Sequence, residues 1–124
     1  MAEGGIPQHV RQFITSHIDS VGELEALLLL RSVPQGWKAA QVAARLYTGE
    51  PETREFLERL RSAGLLHFHD GIYRYECRTD ELRRMVDDLA GLYGRLLIPI
   101  TNLVHAKPRR IRQFADAFRF RKDR

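Results

Sequence analysis

Between residues 38 and 76 the spacing of apolar positions changes twice, and each change marks a new element. Over residues 38–47, Ala39, Val42, Ala43 and Leu46 recur at intervals of three and four with Gln41 and Arg45 opposite. That pattern predicts a short helix whose small residues let another helix come close. Thr48, Gly49 and Glu50 break it, and Pro51 suits the first turn of a second helix, where its missing N–H leaves no bond unmade. The second helix, residues 51–63, is expected to bury Phe56, Leu57 and Leu60, with Gly64 as a left-handed C-terminal cap. The period then drops to two. Residues 65–69 and 72–76 flank Asp70-Gly71, a pair that favours a type I′ turn because both positions need positive φ. Counting outward from the turn opposes His69 to Ile72, Phe68 to Tyr73, His67 to Arg74, Leu66 to Tyr75 and Leu65 to Glu76. Leu66, Phe68, Tyr73 and Tyr75 then share an apolar face that should pack. His67, His69 and Arg74 lie mostly on the other, toward solvent or a ligand.

The flanks are helical. Val10, Phe13, Ile14, His17 and Ile18 make an amphipathic helix after Pro7, which either crosses to a dimer partner or closes the chain's own core. Ser20 and Glu23 form a capping box, followed over residues 21–32 by Leu24 and four successive leucines, Leu27 to Leu30, the expected central helix. Pro34 and Gly36 end it in a turn, and Trp37 is expected to lid the core. Beyond the hairpin, Thr79 caps a helix with Asp80 and Glu81 in its first turn. Leu82, Val86, Leu89, Tyr93, Leu96, Ile100 and Leu103 follow at alternating steps of four and three, a seam of the coiled-coil kind. One helix over residues 80–105 would be about 39 Å long, more than a small domain can cover, so the seam is expected to form a dimer interface. Pro99 should kink or break it near residues 95–98, helped by Gly91 and Gly94.

The Trp preceding a small-residue helix, the run EFLERLRSAGLL at residues 55–66 and the short hairpin resemble the winged helix-turn-helix transcriptional regulators of bacteria, of the MarR-like and PadR-like kind. The resemblance spans residues 24–76. It implies a mainly α fold with a small β-hairpin: an N-terminal arm and short helix (residues 1–19), a winged domain (20–78), a long kinked dimerisation helix (79–106) and a basic tail (107–124). It also implies a homodimer on double-stranded DNA, with the second helix of the motif in the major groove and the wing beside a phosphate strand. The residues that would make those contacts are Lys38, Thr53, Arg54, Arg59, His67 and Arg74. Against this, Glu55 and Glu58 share the outward face of that helix and would meet phosphates, whose field dominates affinity. Winged helices also serve as protein-interaction adaptors, so fold alone does not choose.

Charge sharpens the question. The net charge is +4, but residues 107–124 carry eight Lys or Arg against two Asp, leaving −2 for residues 1–106. In that tail Ile111, Phe114, Ala115 and Phe118 recur at helical spacing among Arg109, Arg110, Arg112, Arg119, Arg121 and Lys122, which suits a nucleic-acid arm, an acidic protein, a membrane surface or docking on the dimer itself. No motif for catalysis or a cofactor is present, and an enzyme is not expected. His67, His69 and Asp70 make a thin case for metal without further ligands. Cys77 beside Arg78 is either a half-buried structural thiol or a redox sensor. Asp87 and Asp88 read as a solvated helix face. A single cysteine, no signal-peptide pattern and no apolar run of the roughly 18 residues that span a bilayer make the cytoplasm the expected compartment. A small-molecule sensor binding between the core and the kinked helix is a third possibility.

Overall fold

The computed structural model describes residues 5–106, and the expectations for the basic tail lie outside them. Six helices and one two-stranded antiparallel hairpin follow in the order α1 (Gln8–His17), α2 (Val21–Ser32), α3 (Ala39–Leu46), α4 (Glu50–Ser62), β1 (Leu66–His69), β2 (Ile72–Tyr75), α5 (Asp80–Tyr93) and α6 (Leu97–His105). The fold is mainly α with a small β-hairpin.

α2 is central, packing against α3, α4, β2 and α6. Its start is fixed by reciprocal caps: Ser20 Oγ accepts from the Glu23 N–H at 3.1 Å, while Glu23 Oε1 reaches back past Ser20 to accept from the Asp19 N–H at 2.8 Å. Leu24, Leu27 and Leu30 are fully enclosed, each stabilising the fold by about 1.5–3 kcal/mol relative to exposure. Gly22 lets α4 approach, because a Cβ there would stand 2.7 Å from the Phe56 ring.

α1 closes the chain's own core with Val10, Phe13 and Ile14, the second of the two expectations for that helix. The break expected near residues 95–98 divides the long helix into two. α5 stops at Tyr93, residues 94–96 leave the helical path, and α6 begins at Leu97, which puts Pro99 in a first turn where no N–H is needed. Relieved of the need to run straight, both helices fold back against α1, and α6 also touches α2. The expected dimer seam is corrected. Val86, Leu89 and Ile100 are fully buried within one chain, and Leu82, Tyr93, Leu96 and Leu103 pack partly buried on the same core. Val86, Leu89 and Ile100 are therefore not left for a second copy.

The junction of α4 and the hairpin forms as its sequence requires. Gly64 adopts φ +84°, its N–H bonds to Arg61 O, and the Leu65 N–H bonds to Leu60 O, a full Schellman cap. The strands pair in the expected register, Leu66 with Tyr75 through His69 with Ile72, and Asp70 and Gly71 take φ of 54° and 80°. Trp37 does more than lid the core: it exchanges both backbone bonds with Tyr73, at 2.8 Å each, adding one rung beside β2. Its indole N–H donates to Val33 O. Phe68 departs from the packing face. Its ring touches Tyr73 but is 41% exposed, because the core ends before the hairpin tip.

Candidate functional site

The residues expected to meet DNA lie on α3, α4 and the hairpin, and the structure separates them into two groups. One group is bound up within the chain. Thr53 is buried: its hydroxyl donates to Gly49 O at 2.9 Å and shares a 2.6 Å bond with Thr48 Oγ1, so it fastens the α3–α4 turn and cannot reach a ligand. Arg59 points back toward the start of α2, where its Nε–H donates to Glu23 Oε2 at 2.9 Å, with Asp19 at 4.0 Å. Arg59 is therefore a clamp between helices, with about half of its side chain still exposed. Arg54 pairs with Glu50 one turn earlier on α4.

Glu23 is the buried end of that clamp. Burial pushes its carboxyl above the ordinary 4.5, with the Asp19 N–H and the Arg59 guanidinium offsetting part of the rise. Such a pair holds α2 to α4 in one register, and removing either partner strands the other.

Glu58 has an opposite setting. It accepts from Arg61 at 2.8 Å and from the Tyr73 hydroxyl at 2.6 Å, and these bonds, Arg61's first, hold its carboxyl below 4.5. Burial, then the Glu58 bond and charge, push the Tyr73 hydroxyl up to about 12. This bond ties α4 to β2 and was missed in the sequence; the aromatic face of the hairpin was the available signal, but not which carboxylate its phenol would reach. What α4 leaves to solvent without an opposite partner among the described residues is Glu52 and Glu55.

The second group stays open. Lys38 is exposed at the N-cap of α3, where its own backbone N–H donates to Gln41 Oε1. His67 and Arg74 face each other across the strands with both side chains exposed. A Cβ on Gly36, two residues before Lys38, would stand 3.1 Å from the Arg74 guanidinium, so Lys38 and Arg74 belong to one neighbourhood. Lys38 and Arg74, with His67 beside them, form a small basic strip without a carboxylate partner among the described residues.

Of the remaining sequence features, one expectation changes, that for Asp87 and Asp88. Burial raises the Cys77 thiol pKa, more than offsetting the Tyr75 hydroxyl 3.3 Å away and the Arg83 charge, which disfavours the reactive thiolate a redox sensor needs. Asp87 and Asp88 are not merely solvated, since they pair with Arg31 of α2 and His9 of α1 and so help to seat α5. Among the described residues no group of three or more His, Cys, Asp or Glu is gathered for a metal, and no helix is long and apolar enough to cross a membrane.

No family model matches the chain, and neither a curated protein nor a solved structure matches it. Its function is therefore argued from its own side chains.

Proposed function

We propose that this chain is a non-enzymatic winged-helix protein, of the MarR-like and PadR-like kind in its α2–α3–α4–hairpin order, that works in the cytoplasm as a protein-interaction adaptor. The observation that carries this reading is the state of α4. Arg54, Arg59 and Arg61 each lie against a carboxylate of the same chain, while Glu52 and Glu55 face outward unmatched. A helix entering a major groove must bring cations to phosphate oxygens and donors to base edges. This helix would bring carboxylates, and freeing Arg59 would leave the buried Glu23 without its counter-ion. An acidic, ordered helix face suits a basic protein surface instead.

A second reading, a homodimeric DNA-binding transcriptional regulator, is favoured by one observation: the open strip of Lys38, His67 and Arg74 lies where a wing would follow a phosphate strand. Such contacts position a protein without reading sequence. Arg109, Arg110, Arg112, Arg119, Arg121 and Lys122 would add to them, or would serve an acidic protein or a membrane surface.

Selection from a random pool of duplexes at about 150 mM salt separates the two, because purely electrostatic binding is already screened at that concentration. The adaptor reading expects no enriched sequence from the full-length chain, and almost no binding after truncation beyond Lys107. An enriched sequence that still binds the truncated chain would overturn it.

A further inference from the structure

α2 carries more leucine than its own core covers. Leu28 and Leu29 stay half-buried on the side where α2 runs beside α5 and the end of α3. There a groove of about 550 Å³ is lined by Leu28, Leu29, Leu46, Tyr47, Ala90 and Tyr93. Its two ends differ in charge. α5 lies antiparallel to α2, with Asp87 against Arg31 and Tyr93 beside Glu25, so Glu25 marks one end of the groove. Arg45 marks the other, since it stacks over Trp37, whose indole is bonded to Val33 O at the far end of α2. Neither Glu25 nor Arg45 has an oppositely charged partner among the described residues.

Tyr47 adds a second, independent observation. As the C-cap of α3 it sits at φ 56°, ψ 44°, the left-handed region that a Cβ disfavours and glycine adopts freely. Its ring is 95% exposed, so nothing inside the chain repays that strain. A large aromatic ring is held at the rim of an apolar groove by a backbone that would be better served by glycine.

We propose that this groove is a homodimer interface, in which two copies meet about a two-fold axis and each copy's Tyr47 enters the other's groove. A two-fold contact brings unlike ends together, setting Glu25 of each copy beside Arg45 of the other, and it forms both ion pairs from one self-complementary surface. Of the α5–α6 stripe, Val86, Leu89 and Ile100 are fully buried, and Tyr93 is shared with this groove. This inference stands apart from the function proposed above, and its failure would leave that reading intact.

Sedimentation equilibrium of the full-length chain tests it. The wild-type chain is expected to dimerise reversibly at micromolar concentration, and Tyr47→Gly to weaken the dimer by about tenfold or more, as loss of a central aromatic anchor does. Relief of the left-handed strain should leave the unfolding temperature of that variant unchanged or raised, which distinguishes a lost contact from a damaged fold. Glu25→Arg and Arg45→Glu should each be monomeric, since each sets like charges together twice. Mixed in equal amounts, the two variants should pair with each other, because the mixture restores both ion pairs. A monomeric wild type, a dimer insensitive to Tyr47→Gly, or charge variants that fail to pair on mixing would each overturn the proposal.

Discussion

α4 and α5 are both amphipathic helices with a side that reads, in sequence, as a surface for something else. Both sides turn out to be answered within the chain, but by different physics. The α5 stripe is answered by apolar contact, with Val86 and Leu89 fully buried at its centre against α1 and α6. The polar face of α4 is answered by ion pairs that stay in contact with water, as the Arg54–Glu50 and Arg61–Glu58 pairs do. Burial of the first kind cannot be reversed without unfolding. Pairs of the second kind contribute about 0–1 kcal/mol each and can be exchanged for a partner's charges at little cost. A hydrophobic period therefore tells what will be buried but not by whom, whereas a charged face stays available even when every arginine on it is occupied.

The contrast can be broken most forcefully at Leu89. Leu89→Ala should lose about 2–5 kcal/mol in urea denaturation, because it opens a cavity in a single chain's core. The loss should be independent of protein concentration, and a concentration-dependent loss would return the stripe to a dimer interface. The next largest effect is expected at the α2–α4 contact. Gly22→Ala would push a methyl against Phe56 and should cost about 1–3 kcal/mol by overpacking, while Gly91→Ala, whose Cβ meets nothing, should be neutral or stabilising. Equal effects would mean that α2 and α4 do not approach as closely as described.

At the hairpin, Gly71→Val should cost about 1–2 kcal/mol through positive φ alone, since no atom lies within 4 Å of the added Cβ. Cooperative unfolding should survive, and its loss would show the hairpin tip to be part of the core. The smallest effect is a pH signature. Glu58, held below 4.5, contributes stability that is complete above that value and is lost as pH falls through its lower folded pKa. Glu23, held above 4.5, acts in the opposite sense: the folded state binds its proton more readily, so stability falls as pH rises from 4.5 through its folded pKa. Carboxyl NMR titration should find Glu23 above and Glu58 below 4.5, and Glu58→Gln should shallow the acid-side loss of stability. The reverse order would contradict the clamp geometry of both residues.

What was legible in the sequence was local. The hairpin register, the Asp70-Gly71 turn, the Gly64 cap and the Ser20–Glu23 cap each depend on residues within a few positions of one another, and each formed as read. The break before α6 was legible too, because Pro99 forbids a straight helix. Most of the misreadings lie at long range. Nothing near Arg59 indicates that its partner is Glu23, 36 residues earlier, and nothing in the four-three spacing of Val86 and Leu89 indicates that α1 would cover them. Thr53 looked like a surface residue because its bonds to Thr48 and Gly49 depend on how tightly the α3–α4 turn closes.

The central claim is that α4 holds its arginines for the fold while the hairpin strip stays open. Backbone and arginine side-chain NMR, recorded as duplex DNA is titrated in at about 150 mM salt, tests it most directly. The account predicts that any perturbation falls on Lys38, His67, Arg74 and the basic tail, alike for every duplex, with the Arg59 Nε–H signal unmoved at Glu23. Perturbation of Arg54 and Arg59 that grows with one particular sequence would contradict it and make α4 a reader of bases.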